Sequence, residues 1–415
     1  MDAAIASNPM NRNELLLGGH DLNCPLGATN AFYISTDGGT NWTRTLCMHN
    51  VAFGNNAYYP AASPMVGYDL KGQAYAAGEY FDSKGIGLGL VLVQKSTDGV
   101  NWSERLALAL GGTFGGFYYS WLTIDTSPES PFANSLYISS RGVQEPYQQG
   151  MKVFVSHSHD GGHHWKAVPV DGIQFYPALD PFTNVVTGKD GTVYVTWEHC
   201  PGTGPNADCK NGKGYMLFSK STDGGDTWTS PTVMTTVQTD CSCASGFFPN
   251  TNVGVSEDPV IGVDKSSGPY SGNLYVTMFN WTGTQLQVEV TRSTDGGNTW
   301  SAPVPVAPPS DTHDQAFPWL SVSSTGLVGL SWLDRRNDQA NVNYQAFAAI
   351  SRDGGQTFQP NIQLTTGFSN PDIGNETYMG DYTGNTWVGP NFIAAWMDSS
   401  NGVSMQDVVG GVKLH

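Results

Sequence analysis

Short apolar runs bounded by Gly, Pro, Asn or Asp recur along the whole chain. The clearest set is Asp258-Pro-Val-Ile-Gly-Val-Asp264, Asn273-Leu-Tyr-Val-Thr-Met-Phe279, Gln285-Leu-Gln-Val-Glu-Val-Thr291 and Ser301-Ala-Pro-Val-Pro-Val306. Runs this short, rich in Val and aromatics and closed by turn formers, predict strands rather than helices. Four in succession predict one small sheet, with strands A, B, C and D in chain order. The same grammar describes six full units and a seventh, shorter one: Asp381-Tyr-Thr-Gly-Asn-Thr-Trp387, Asn391-Phe-Ile-Ala-Ala-Trp396 and Asp407-Val-Val-Gly-Gly-Val412.

Between strands C and D of each full unit lies one recurring peptide. Its copies occupy 35–42, 96–102, 158–165, 221–228, 293–300 and 351–358, typified by Ser293-Thr-Asp-Gly-Gly-Asn-Thr-Trp300. The aspartates Asp37, Asp98, Asp160, Asp223, Asp295 and Asp353 are 61, 62, 63, 72 and 58 residues apart, and such a period signals a repeat architecture. Each copy reads as a hairpin clasp. The carboxylate accepts backbone N–H groups across the turn, the glycines supply positive φ, and the aromatic residue folds back into the apolar layer. An acid repeated in six equivalent turns cannot be six active sites, so these aspartates are structural. The expected fold is all-β: one β-propeller domain spanning 1–415, built of four-stranded blades, seven of them, with six as the alternative.

This clasp is the Asp box, and six copies make the chain resemble the sialidase superfamily over most of its length, most closely secreted bacterial sialidase-like proteins. The motif also occurs in xyloglucanases and sortilin-type receptors, so it speaks for fold and not for activity. The boxes claim one face of the disc for structure. Chemistry is expected on the other, where the D-to-A and B-to-C loops run.

Composition narrows the partners. A net charge of −17 and a pI near 4.7 disfavour nucleic acid and anionic membrane surfaces, and no run approaches the length of a membrane span. Cys24, Cys47, Cys200, Cys209, Cys241 and Cys243 permit fifteen pairings. At least two disulfides are expected, and a zinc site is disfavoured because no CxxC knuckle occurs. Met1-Asp2-Ala3-Ala4 does not begin a signal peptide, so the expected secreted or periplasmic location supposes a leader upstream. No cofactor is expected, although acidic loops could bind calcium. The expected partner is a glycan or oligosaccharide; the oligomeric state is left open.

The sialidase resemblance implies an Asp acid/base, a Tyr nucleophile paired with a Glu, and three arginines that grip the substrate carboxylate. By position these roles fall on Asp21 in Gly19-His20-Asp21-Leu22, on Glu257 with Asp258 as its rival, and on Tyr382 with Tyr378 as the alternative. Arg335 or Arg336, in Trp332-Leu-Asp-Arg-Arg-Asn-Asp338, stands for the third arginine, beside Asp334. The structural alternative for both arginines is a salt bridge to Asp334 or Asp338. Two departures stand out: the Arg-Ile-Pro signature of the first strand is absent, and Asn280-Trp-Thr-Gly-Thr284 carries no arginine. Arg141 could compensate. A carboxylate pair such as Asp21 with Asp381 or Glu257 would serve as an alternative catalytic set, its separation deciding between retention and inversion.

These features predict a secreted, sialidase-like glycoside hydrolase acting on terminal sugars, with true sialidase activity weakened by the two missing arginines. The alternatives are a non-catalytic carbohydrate- or protein-binding propeller and a polysaccharide lyase.

Overall fold

The computed structural model describes residues 2–413 except 26–29, 54–55, 83–88, 104–105, 109–113, 145–149, 176–177, 179, 181, 202–212, 239–245, 256–257 and 374–377. The chain forms a β-propeller of seven blades, and the described residues contain no helix. The innermost strands, one per blade in chain order, are Ala4–Ser7, Asn56–Tyr68, Phe114–Ile124, Thr183–Thr187, Val260–Val263, Gln315–Val322 and Gly384–Val388. Each contacts its neighbours on both sides, and the first meets the last, so the ring is closed. The closure is sealed by the Ala3 amide on the Tyr382 carbonyl (3.1 Å) and the Ser7 hydroxyl on the Trp387 carbonyl (3.0 Å). Six blades carry four antiparallel strands, two of them with a short extra strand. The seventh has three, its outermost being Gln406–Lys413, which matches the shortened unit and its missing box.

The box chemistry explains why each hairpin closes where it does. In the first copy, Ser35 Oγ donates to Asp37 Oδ1 (2.8 Å) and accepts from the Gly39 amide (2.9 Å), while Asp37 Oδ1 accepts from the Thr40 and Asn41 amides (3.0 and 2.9 Å). Gly38 and Gly39 take φ of 75° and 92°, which a side chain would oppose. The Trp42 indole donates to the Gly39 carbonyl (3.1 Å) and packs between blades one and seven. The residue before the box serine adds a latch to the next blade. Lys95 and Lys220 donate to the Gly161 and Gly296 carbonyls (3.0 and 2.7 Å), and Arg292 to Gly354 (3.3 Å).

Blades pack face to face through Val, Ala, Leu and aromatic residues, and the largest cluster joins blades five to seven. Close approach is bought with glycine: a Cβ at Gly262 would lie 2.3 Å from Leu320, and one at Gly384 would lie 2.8 Å from the Ala3 carbonyl oxygen. Each fully buried Val, Leu or Phe stabilises by about 1.5–3 kcal/mol. On the loop face the disulfide Cys24–Cys47, the one found among the described residues, ties the B-to-C loop of blade one to its outer strand. Cys200 is buried at the end of a blade-four strand, and Cys209, Cys241 and Cys243 lie outside the described residues.

Three inner strands carry the same bulge. Ser63, Tyr119 and Phe317 take φ of 47°, 53° and 53° at register shifts in blades two, three and six. For bulky residues such as Tyr119 and Phe317 this region is strained. Neighbouring blades bind the bulge carbonyls: Thr183 Oγ1 donates to Tyr119 O (3.2 Å), and Thr383 Oγ1 to Phe317 O (3.0 Å). The bulges aim the next aromatic residues at the axis. The rings of Trp121 and Trp319, from blades three and six, meet at 4.3 Å, and Tyr382 of blade seven lies 5.9 and 6.2 Å from them. This aromatic layer divides the central channel into a loop-side half and a box-side half.

Candidate functional site

On the loop side the residues at the starts of inner strands converge above the aromatic layer. Asp2 precedes the first inner strand and is 1 % exposed. Its Oδ1 accepts the Asp381 amide (2.6 Å), and its Oδ2 pairs with His20 Nε2 (3.0 Å). Tyr378 donates to Asp381 Oδ2 (2.8 Å), with Asp2 Oδ1 further off at 3.5 Å. Behind this pair stand Tyr382 and Asp258, both buried. Neither the Tyr382 hydroxyl nor the Asp258 oxygens have a hydrogen-bond partner among the described residues. From blade two Glu79, 1 % exposed, accepts the Ser120 amide (2.7 Å) that the blade-three bulge presents. Arg141 of blade three lies over the rings of Tyr118 and Tyr119, 5.3 and 4.8 Å from their centroids.

The electrostatics split these acids into two kinds. Burial pushes the Glu79 carboxyl up to about 7, against its bonds to Ser120 and Ser63. Burial and the charge of Asp381 push Asp258 well above the usual carboxylate range. For Asp2 burial acts in the same direction, but the His20 bond and charge and the Asp381 amide outweigh it and hold the group low. Burial, then the charges of Asp258, Asp381, Glu79 and Asp2, keeps the Tyr382 hydroxyl protonated far into the alkaline range. Tyr119 is raised to about 12 by burial, although Arg141 opposes this. One site therefore holds a carboxylate kept ionised, Asp2, beside carboxyls shifted toward the neutral form, Asp258 and Glu79, a division that suits proton transfer. No group of three or more metal-ligand side chains occurs among the described residues.

Of the residues singled out in the sequence, the structure brings together Tyr382, Tyr378, Asp381, Asp258 and Arg141. Asp21 is not among them. Its carboxylate accepts from Tyr33 (2.5 Å), Arg44 (2.8 Å) and the Asn23 amide (2.7 Å), which hold it beside a cavity of about 580 Å³ between blades one and seven. Arg335 faces inward: it is fully buried, stacks on Phe248 at 3.3 Å, donates to the Pro249 and Asn341 carbonyls, and lies 3.5 Å from Asp314. Arg336 is bound bidentately by Asp334 (2.9 and 2.5 Å), packs over Phe347, and leaves neither itself nor Asp334 turned to the cluster. Both arginines are thus held by partners away from the cluster. Glu257 lies outside the described residues.

Sequence reasoning missed Asp2 and Glu79. Asp2 stands just before an inner strand, as Asp258 and Asp381 do, and that shared position is the signal that could have found it. Glu79 and Arg141 occupy the same place, the sixth of nine residues, in the second strands of blades two and three, Ala74–Asp82 and Leu136–Gln144.

The BNR/Asp-box repeat family matches residues 33–44. No curated protein matches the chain by sequence. Similar solved structures include a protein of unknown function from Dyadobacter fermentans, 16 % identical with a TM-score of 0.52 over 88 % of this chain and 97 % of that one. The Hadza microbial sialidase Hz136 is 13 % identical, with a TM-score of 0.52 over 94 % of this chain and 74 % of that one. The α-L-arabinofuranosidase Arb93A of Fusarium graminearum is 12 % identical, with a TM-score of 0.55 over 88 % and 97 %. The architecture is the sialidase-like BNR β-propeller, and at these identities the likeness concerns the fold.

Proposed function

We propose that this protein is a glycan-active glycoside hydrolase whose active site is the loop-side cluster, and that its substrate is a neutral sugar. The observation that carries the reading is the convergence of four carboxyl groups and two tyrosines from four different blades, close to Arg141 of a fifth. Solved sialidases and arabinofuranosidases share the fold, which is consistent with sugar chemistry.

Asp381, half-buried and bonded to the 38 % exposed Tyr378, is the carboxylate placed to meet a sugar at the mouth. It acts on the anomeric carbon, directly or through water. Asp258, a buried carboxyl held toward its neutral form beside Tyr382, is the proton source, and its proton reaches the leaving oxygen at the mouth by relay through water. Asp2 positions Asp381 through its amide, and Arg141 grips a substrate oxygen. The surplus of carboxyl groups over cations disfavours an anionic sugar, since a sialic acid carboxylate calls for bidentate arginines. Secretion is consistent with the disulfide.

The test is hydrolysis of a panel of aryl glycosides that includes an arabinofuranoside and a sialoside, repeated with Tyr382→Phe. Turnover of a neutral glycoside and none of the sialoside is expected; turnover of the sialoside alone would reverse the specificity argument. A second reading, a non-catalytic glycan-binding propeller, draws support from the burial of Tyr382, Asp258 and Glu79 to 3, 5 and 1 % exposure. Saturable oligosaccharide binding without turnover of any glycoside would favour it.

A further inference from the structure

The box-side half of the channel is a cavity of about 660 Å³, cut off from the acidic cluster by the aromatic layer of Trp121, Trp319 and Tyr382. Its walls are the last residues of the inner strands, and its rim is formed by the turns from strand A to strand B. Val66, Ile124, Ile261 and Val322 give it apolar sides, while Ser7, Thr386 and Ser321 add hydroxyls. The Ser321 hydroxyl is buried with no hydrogen-bond partner among the described residues.

Two lysines, Lys189 and Lys265, line this space. Lys265 Nζ donates to Thr187 Oγ1 (2.9 Å), and among the described residues no carboxylate forms an ion pair with it. An ammonium offers three donors, so two remain for a ligand. Asp125, whose charge acts on Lys265, and the adjoining Asp264 each keep Oδ2 without a hydrogen-bond partner among the described residues. Asp125 and Asp264, which cap the neighbouring turns, accept the Ser127 and Ser266 amides (3.0 and 2.8 Å), and Lys189 at the rim pairs with Glu129 (3.2 Å).

We propose that this cavity is a second ligand site, independent of the loop-side cluster, which takes a small organic carboxylate of monosaccharide size with the carboxylate on Lys265. The volume suits such a molecule, and apolar walls with a few convergent polar groups are how small-ligand sites are built. A cavity inside an acidic protein gains nothing from long-range attraction of anions, so recognition rests on contact with the Lys265 ammonium. Burial lowers Lys265 to about 8 against the pull of Asp125, so carboxylate binding also takes up a proton as pH rises past that value.

The test is calorimetric titration of the full chain with sodium glucuronate, using glucose as the neutral counterpart. Glucuronate should bind at least tenfold more tightly than glucose, and its affinity should fall about tenfold per pH unit above 8. Lys265→Gln should reduce it to the level of glucose, whereas Arg141→Gln, on the loop side, should leave it unchanged. Should Lys265→Gln fail to fold, acetylation of Lys265 in the wild type decides: glucuronate must slow it and glucose must not. Equal binding of the two sugars, an unaffected Lys265→Gln protein, or loss of binding in Arg141→Gln alone would each overturn the proposal.

Discussion

Replacing Arg335 by Met separates a loop pin from a substrate-binding arginine. Methionine keeps most of the volume but leaves the buried Asp314 without its cation and strands the Pro249 and Asn341 carbonyls. Breaking one side of a buried, hydrogen-bonded pair costs about 3–5 kcal/mol. At about 2.1 cal/mol/K of unfolding entropy per residue, a chain this long loses roughly 3–6 °C in Tm for that cost. Asp314→Asn in the same background should recover part of the loss by removing the orphaned charge, with a coupling of about 1–3 kcal/mol in the double-mutant cycle. The assay is thermal unfolding of both single variants and the double, with turnover measured well below Tm. Glycoside turnover per folded molecule should stay within about twofold of wild type. Unchanged Tm with abolished turnover would refute the assignment and return Arg335 to the substrate.

Three further outcomes follow from the geometry. Glu79 has a folded pKa raised to about 7, so its contribution to stability is fully present below its unfolded value and is lost as pH rises through 7. Glu79→Gln should therefore melt at or above the wild-type Tm at pH 8, by up to roughly 2–3 kcal/mol; a lower Tm there would show that the charge is stabilised by something unseen. Removing the Cys24–Cys47 bridge, which spans 23 residues, should cost about 3 kcal/mol. Under oxidising conditions Cys24→Ser/Cys47→Ser should melt below the wild type, and an unchanged Tm would argue that the bridge contributes little. Asp21→Asn frees Tyr33 and Arg44 and should cost no more than about 1 kcal/mol, with KM unaffected; a large rise in KM would place Asp21 at the substrate after all.

The blade count and the division of faces were legible because the Asp box is local: serine, aspartate, glycines and aromatic lie within eight residues and satisfy one another. The site was legible only in part. Tyr382, Tyr378, Asp381 and Asp258 could be placed because residues at the start of an inner strand must lie near the axis. Asp2 obeys the same rule, but Asp2-Ala3-Ala4-Ile5 lacks the Arg-Ile-Pro signature that would mark it as the entry to a first inner strand. Asp21 and Arg335 lie apart from the cluster for a different reason. Both are charged residues in loops on the correct face, and both are captured by partners that sequence position does not reveal. For Arg335 one of these is the Pro249 carbonyl, 86 residues away. The channel plug escaped notice because two tryptophans 198 residues apart meet only once the ring closes.

The most direct test compares kcat/KM for the best-hydrolysed neutral aryl glycoside among wild type, Asp381→Asn and Asp21→Asn, with folding checked by thermal melting. If the loop-side cluster is the active site, Asp381→Asn falls by at least about a hundredfold, as expected for loss of a group acting on the reacting bond, and Asp21→Asn stays within about twofold. Full activity in Asp381→Asn, or a collapse confined to Asp21→Asn, would contradict the account.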